Sequence, residues 1–500
     1  MRVCIYGPSG AGKTTLAKIL SRALSHKLDL ICGDDFIKEK SEDFLDLKTA
    51  LSTKTSYIFE HISAPAIFEG CGIKPDIAIG ICRESDDKHH AKQTRIVQNF
   101  GCHVITAKQV RDALKSSLER LDAAGLFPNP LTNFVIKVAS RCNLNCSYCY
   151  MYHALDDSST TAPVYMAQNV AKMLGQRMAA HSDQNNGIKL SAIIHGGEPL
   201  SLRPDIFKQI ISEMKNETST RNVSFGVQTN GTRITNEYLH ILDELGMQIG
   251  ISLDGNNAFA NRYRVYHSGA QAYSDILRGV ETCLRFPFKN GGFSGVLCVI
   301  DPSSSGRETY KYLRSLGLSG FDFLLRDEHH SFGPGGQTTS ISAGEFLCDA
   351  FDEWLADPSP CDVRIFRTLI ALTLSANYST DSLGLHPMNA VGVSTNGEWE
   401  LLDVLRICFP SAWKTPYTVF DTSISEAGSS PEFRRLLNWQ YDLSDTCLTC
   451  KQLFTCGGGY LPHRYNQENM FRNPSSHCDA LFKLINHIEA CLMKEGINKN

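Results

Sequence analysis

The sequence lacks any apolar run of the roughly 18 residues that a membrane-crossing helix requires. Its opening, MRVCIYGPSGAGKTT, has no charged head, no long apolar stretch and no cleavage site, so it does not read as a secretory signal. A cytoplasmic protein without a membrane partner is expected. Net charge is only −4, from 49 basic and 53 acidic residues. That balance excludes a surface built to coat nucleic acid. Internal repeats and long low-complexity tracts are also missing. Cysteine, by contrast, is plentiful, with 18 in 500 residues. In a reducing compartment so many thiols point to metal binding or catalysis rather than to a disulfide framework. Eleven are scattered singly and suit small buried hydrophobes. The rest are clustered, three at 142–149 and four at 447–478.

The length suggests roughly three domains of about 150 residues. The first is expected over 1–128. RVCIY, LDLIC, AIFEG and DIAIGI read as short buried strands, and TLAKILSRALS has helical apolar spacing. Strands alternating with helices imply a parallel α/β sheet. GLFPNPL, with two prolines behind a glycine, marks a boundary. The second domain is expected over 131–385. NFVIKVA, LSAIIHG, VSFGVQT, QIGISLD, FSGVLCVI and FDFLLRD each lead toward a helix-like stretch. Six such units predict a partial (βα)6 TIM-like barrel, with function at the C-terminal ends of its strands. The words GGEP, QTNG and SLDG fall at such ends. HHSFGPGGQTTSIS reads as a loop. The third segment, 386–500, is less regular and closes with an amphipathic helix, CDALFKLINHIEACLM.

GPSGAGKT fits the phosphate-binding loop pattern G-x-x-x-x-G-K-[ST] in full. Gly7, Gly10 and Gly12 let backbone N–H groups turn inward around phosphates, ahead of a helix N-terminus. Lys13 would reach the β/γ-phosphates, and Thr14, followed by Thr15, would meet Mg²⁺. ATP with Mg²⁺ is the expected ligand. The acids Asp34 and Asp35 follow the second apolar stretch, and Glu69 ends AIFEG. With the loop, these words resemble small-molecule kinases of the uridine and nicotinamide riboside kinase group. That resemblance implies an acid meeting a substrate hydroxyl at 34–35 and a metal organised near Glu69. Arg83 and Arg95 read either as a phosphoryl clamp or as solvated arginines.

CNLNCSYC places Cys142, Cys146 and Cys149 in one tight loop. Thiolates are natural ligands of iron–sulfur clusters. Three of them on a four-iron cube leave one iron open to substrate or cofactor. A zinc site would need a fourth ligand, for which His153 has suitable spacing. The pattern C-x-x-x-C-x-φ-C, with Tyr148 as φ, resembles the radical S-adenosylmethionine (SAM) superfamily. The resemblance implies a [4Fe–4S] cluster whose open iron chelates SAM and, after one-electron reduction, yields a 5′-deoxyadenosyl radical. By the same resemblance, Gly196, Gly197, Glu198 and Pro199 would hold the SAM amino group. Ser252 and Arg264 would reach its ribose and carboxylate. An electron donor such as flavodoxin or ferredoxin is implied as a partner.

Cys447, Cys450, Cys456 and Cys478 follow C-x2-C-x5-C with a distant fourth cysteine. Four thiolates would close a second cluster, and a zinc ribbon is the alternative on spacing alone. The arrangement resembles the SPASM extension of radical SAM peptide maturases, with departures. Tyr460 and Leu402 stand where relatives carry cysteines, so two [4Fe–4S] clusters are expected rather than three. Cys408 is either a stray ligand or a buried thiol. The truncated pattern, with CGGGYLPHRY and TNGEWELLD, is similar to a branch that forms cyclophane crosslinks in ribosomally made precursor peptides. This implies hydrogen abstraction from a Cβ, attack on an aromatic ring and a base for the ring proton. Asp254 and Asp322, read at strand ends, are candidates for that base, with a scaffold role as the alternative. The whole is expected to be an α/β chain in three parts: a parallel-sheet nucleotide-binding domain, a radical SAM barrel and a small SPASM-like Fe–S domain. Thioether, ether or formylglycine-type chemistry stays open, as does a front domain that only docks peptide or senses nucleotide.

Overall fold

The computed structural model describes residues 130–494, apart from 155, 157–160, 333–336, 375–379, 386 and 449, and the backbone of four strands ahead of them. The four are β1 (Arg2–Tyr6), β2 (Asp29–Cys32), β3 (Tyr57–Glu60) and β4 (Ile77–Gly80). They pair in parallel in the order β2-β3-β1-β4. RVCIY, LDLIC and DIAIGI therefore yield strands as expected, and YIFE supplies one that sequence reading missed. AIFEG with Glu69 lies outside the described residues. So do Gly7, Gly10, Gly12, Lys13, Thr14, Thr15, Asp34, Asp35, Arg83 and Arg95.

The chain divides into two compact units. One is Met1–Asn129 with Gly384–Pro387 and Tyr441–Gly457; the other is Pro130–Leu383, Met388–Gln440 and Gly458–Asn500. In the second unit the strands are β5 (Asn133–Ala139), β6 (Leu190–Gly196), β7 (Val223–Thr229), β8 (Gln248–Ser252), β9 (Gly292–Val299) and β10 (Gly320–Leu324). The helices that follow them in turn are α1 (Gln168–Gln184), α2 (Pro204–Thr218), α3 (Asn236–Glu244), α4 (Tyr273–Arg285), α5 (Gly306–Ser315) and α6 (Gln337–Ala356). The six strands are parallel neighbours in sequence order, as the six repeated units predicted.

Alternation explains the strands. Phe134, Ile136 and Val138 on β5 are fully buried, as are Ala192 and Ile194 on β6 and Ile249 and Ile251 on β8. Each large one contributes about 1.5–3 kcal/mol by leaving water. The helices read just as directly. Phe207, Ile210, Ile211 and Met214 put one apolar stripe of α2 inward. Thr235 and Ser305 cap α3 and α5 by accepting from the N–H of Tyr238 and Glu308.

The sheet does not stop at residue 385. A short β11 (Asp362–Val363) adds in parallel to β10, and β12 (Ala390–Val393) adds in parallel to β5. Then β13 (Glu398–Glu400) and β14 (Lys414–Thr418) continue it antiparallel, making ten strands. The β12–β13 turn is built on Asn396-Gly397, with Gly397 at φ +85°, a left-handed conformation that glycine adopts without strain. Part of the loop expected at 329–342 is helical instead, because α6 begins at Gln337. Ala343, Phe346, Leu347, Ala350 and Phe351 are all buried at helical spacing and recruit the segment before them. Two more helices matter below: α7 (Arg364–Thr373) and the terminal α8 (Cys478–Lys494), the latter as expected. No described helix is long and apolar enough to cross a membrane.

Candidate active site at the C-terminal ends of the strands

The cysteine loop leaves the end of β5 and is tied down on two sides. The N–H groups of Asn145 and Ser147 donate to the carbonyls of Val265 and Tyr263 at 2.7 and 3.3 Å. On the other side Glu198 N donates to Arg141 O at 3.0 Å, and Gly197 N to Ala139 O at 2.8 Å. Gly197 has no room for a side chain, since a methyl would run into Arg141's carbonyl and the Tyr152 hydroxyl. The three thiols are half-buried. Burial, then the Glu198 carboxylate, pushes Cys142 up to about 12. Burial likewise pushes Cys149 up to about 11. Metal binding must therefore displace thiol protons. Donors are already aimed at one sulfur: Leu144 N lies 3.4 Å and Asn230 Nδ2 3.7 Å from Cys142 Sγ. Three soft donors on one loop, one of them with N–H groups in place to share thiolate charge, fit an iron–sulfur cluster. His153 instead meets Asn145 Oδ1 at 2.9 Å.

Several expected cofactor residues are engaged by the protein itself. Glu198 is fully buried and its carboxylate accepts from Leu200 N (2.9 Å), Thr229 Oγ1 (2.6 Å) and Asn230 N (2.8 Å). It caps the short turn Pro199–Ser201 and ties β6 to β7. Arg264 forms a two-pronged pair with Asp254, at 2.8 and 2.9 Å. Asp254 also accepts from the Tyr148 hydroxyl and, at 3.1 Å, from Val299 N. Asp254 thus holds the cysteine loop, the 261–266 segment and β9 together, a scaffold part rather than a free base. Ser252 accepts from Gln228 Nε2 at 3.0 Å, and Gln228 fills the space that Gly250 leaves open. Asp322 lies inside β10, not at its end. Its carboxylate accepts from Arg364 Nε (2.7 Å) and Ile365 N (2.8 Å), fixing the N-terminus of α7.

A further acid, with its side chain 28% exposed, was missed by sequence reading. Asp327 follows β10 by three residues and takes a contact from His463 Nε2 at 3.3 Å. Burial, then the Asp403 carboxylate, pushes its acid up to about 7. His463 stacks edge-on with His477 at 4.9 Å between ring centres, and burial holds both imidazoles down to about 3. Both are therefore neutral near pH 7. Beside them runs a buried ionic group. Lys137 of β5 and Arg406 both bind Glu400 of β13, Arg406 reaches Asp156 at 2.9 Å, and Tyr150 donates to Asp403 at 2.8 Å. The Arg406 guanidinium lies over Trp413, 3.5 Å from its ring centre.

The cysteines of the second motif stand as follows. Cys447 is buried with Leu385, Leu443 and Leu453. Cys450 N donates to Cys447 O at 3.1 Å, Gln452 N lies 3.4 Å from Cys450 Sγ, and Cys456 O accepts from Gly384 N. Cys478 opens α8. Cys408 is buried, with its thiol 3.8 Å from Pro462 O, as a packed thiol would be.

Residues 136–313 match the family model for the radical SAM superfamily. Among curated proteins, the chain is 24% identical over 262 residues to a cysteine-type anaerobic sulfatase-maturating enzyme of Clostridium novyi, covering 49% of this chain and 66% of that protein. It is 22% identical over 362 residues to a serine-type anaerobic sulfatase-maturating enzyme of Bacteroides thetaiotaomicron, covering 68% and 85%. Among solved structures, native anSMEcpe with bound AdoMet and Cp18Cys peptide superposes with a TM-score of 0.61 at 21% identity, over 74% of this chain and 100% of that one. Streptococcus suis SuiB gives a TM-score of 0.50 at 13% identity, over 87% and 89%.

Proposed function

We propose, starting from a chain whose residues 136–313 form a radical SAM domain, that it modifies a peptide by abstracting hydrogen from a Cβ and joining that carbon to an aromatic side chain. The observation that carries the reading is three half-buried thiols on one loop, bound through Arg141 to the glycine turn of Gly196–Glu198. Cys142, Cys146 and Cys149 would hold a [4Fe–4S] cluster, with SAM seated against that glycine turn. A second cluster rests on the spacing of Cys447, Cys450, Cys456 and Cys478. When bound, these groups supply a 5′-deoxyadenosyl radical and an electron acceptor.

The chain's own residues do the rest. The Asp254–Arg264 pair and Tyr148 keep the cysteine loop against β9, so that the loop is set before any ligand arrives. Gln228 and Ser252 offer a polar pair on neighbouring strands for the ribose. Asp327 is the better-placed acceptor for the ring proton, because Asp254 and Asp322 are committed to arginines. A peptide substrate is supported by relatives named for maturing sulfatases and by the peptide-bound neighbour. Those names also favour a second reading, oxidation of a serine or cysteine to formylglycine. The front segment is proposed to bind ATP with Mg²⁺ and either to phosphorylate the same peptide or to dock it. An external reductant of the flavodoxin or ferredoxin kind would start the cycle.

The test is mass spectrometry of the peptide encoded beside this gene, co-expressed with wild type or with Cys146→Ala. Loss of two hydrogens with wild type alone, no reaction with a hydrazide, and fragmentation that skips a closed ring would establish the crosslink. A hydrazide-reactive product would establish the aldehyde instead. An unchanged peptide would leave the crosslinking reading without its substrate and defeat it for that peptide.

A further inference from the structure

Away from the strand ends, α6 and α8 pack along each other and bring a different set of donors together. Asp352 Oδ1 lies 2.6 Å from His487 Nε2, and Cys491 Sγ lies 3.9 Å from the same nitrogen. One ligand atom from each of the three falls within 4.8 Å of the other two. The spacing is paired. On α8, His487 and Cys491 are four residues apart, one turn, and so share a face. On α6, Cys348 and Asp352 are also four apart. Cys348, Asp352 and His487 line one cleft of about 450 Å³ between the helices. The Phe351 ring stands edge-on to His487, 5.9 Å between centres, and limits the imidazole's swing. An ordinary surface ion pair accounts for Asp352 and His487 but gives no reason for thiols on both helices at the same level.

We propose that Asp352, His487 and Cys491 form a site for a divalent transition metal of the zinc class, separate from the iron–sulfur ligands. Carboxylate, imidazole and thiolate are the three donor types zinc takes, and three protein ligands leave a fourth position. A water would complete the tetrahedron there. Binding takes Cys491 as thiolate and the Nε2 lone pair of His487 in place of its contact with Asp352, so the thiol proton leaves as the metal enters, together with a second proton wherever the imidazole was protonated. The metal would staple α8 to α6. Since α8 begins at Cys478, the staple would also steady the helix that presents that cysteine.

The experiment uses the full chain with clusters reconstituted anaerobically, stripped of loose metal on chelating resin, given one equivalent of zinc sulfate and desalted. Zinc and iron are counted by mass spectrometry, and the zinc shell is read by X-ray absorption at its K-edge. Wild type is expected to retain about one zinc with a mixed sulfur and nitrogen/oxygen shell at roughly 2.0–2.3 Å. His487→Gln and Cys491→Ser are each expected to weaken zinc binding by more than the ~10–100-fold that losing an outer-shell partner costs, with iron content unchanged. An all-sulfur shell in wild type would place the zinc on cluster cysteines and overturn the proposal, even if both variants misfold. Equal retention in the variants, or no zinc retained by wild type, would overturn it too.

Discussion

Asp327 differs from Asp254 and Asp322 in having His463, rather than an arginine, as its partner in the contacts described. Its acid sits at about 7 because burial and Asp403 both disfavour its charge. A proton acceptor must be deprotonated, and this carboxyl is deprotonated only above that value. Crosslinking turnover should therefore fall about tenfold per pH unit below about 7 and level off above it. Asp327→Asn should lower turnover by roughly 10²–10⁴-fold and abolish that slope. A flat profile from pH 6 to 8 in wild type would remove Asp327 from the role. The residue scale also explains which site residues were legible. The cysteines at 142, 146 and 149 announce themselves because all three lie on one loop. Asp327 does not, because what shifts it comes from residues 403 and 477, far along the chain. Glu198 and Asp254 just past strand ends, and Asp322 inside β10, were visible as polar letters, but their partners, which decide whether a carboxylate is free, were not.

Among the elements, β5 and β13 are joined by charge at their cores. Glu400 is fully buried and binds both Lys137 and Arg406, each almost fully buried. Glu400→Gln keeps the shape and removes the countercharge of two buried cations. Breaking such a group from one side costs about 3–5 kcal/mol. The urea midpoint should drop accordingly with an unchanged slope, and an unchanged midpoint would mean that Asp403 and Asp156 suffice. The six barrel strands were legible because each is a run of β-branched and aromatic residues followed by an amphipathic helix. The β12–β14 extension was not, since its strands are three to five residues long. Asn396-Gly397 is a strong hairpin signal on its own, but it does not show that the hairpin adds to the edge of β5.

For the whole molecule, the question is whether the front segment serves the same peptide as the barrel. Lys13→Ala should abolish any ATP turnover while leaving SAM cleavage intact. If nucleotide matters to the peptide, the same change should also weaken peptide binding or remove an added phosphate, read by titration and by intact mass. Unchanged crosslinking and unchanged peptide affinity would separate the two activities. GPSGAGKT stands out as a motif but lies outside the described residues, whereas β3 was not legible, because YIFE is short and follows no glycine-rich turn.

The sheet's continuation past residue 385 bears on how the chain is made. All six strand–helix units have been synthesised by then, yet β5 still lacks its neighbour β12, and Lys137 still lacks Glu400. A ribosome that has passed only residue 385 holds a barrel with one raw edge and an uncompensated lysine near its centre. Completion waits for the hairpin more than 250 residues after β5 began. A gene trimmed after α7 would encode Cys142, Cys146, Cys149 and the Gly196–Glu198 turn and still leave that edge of β5 unpaired.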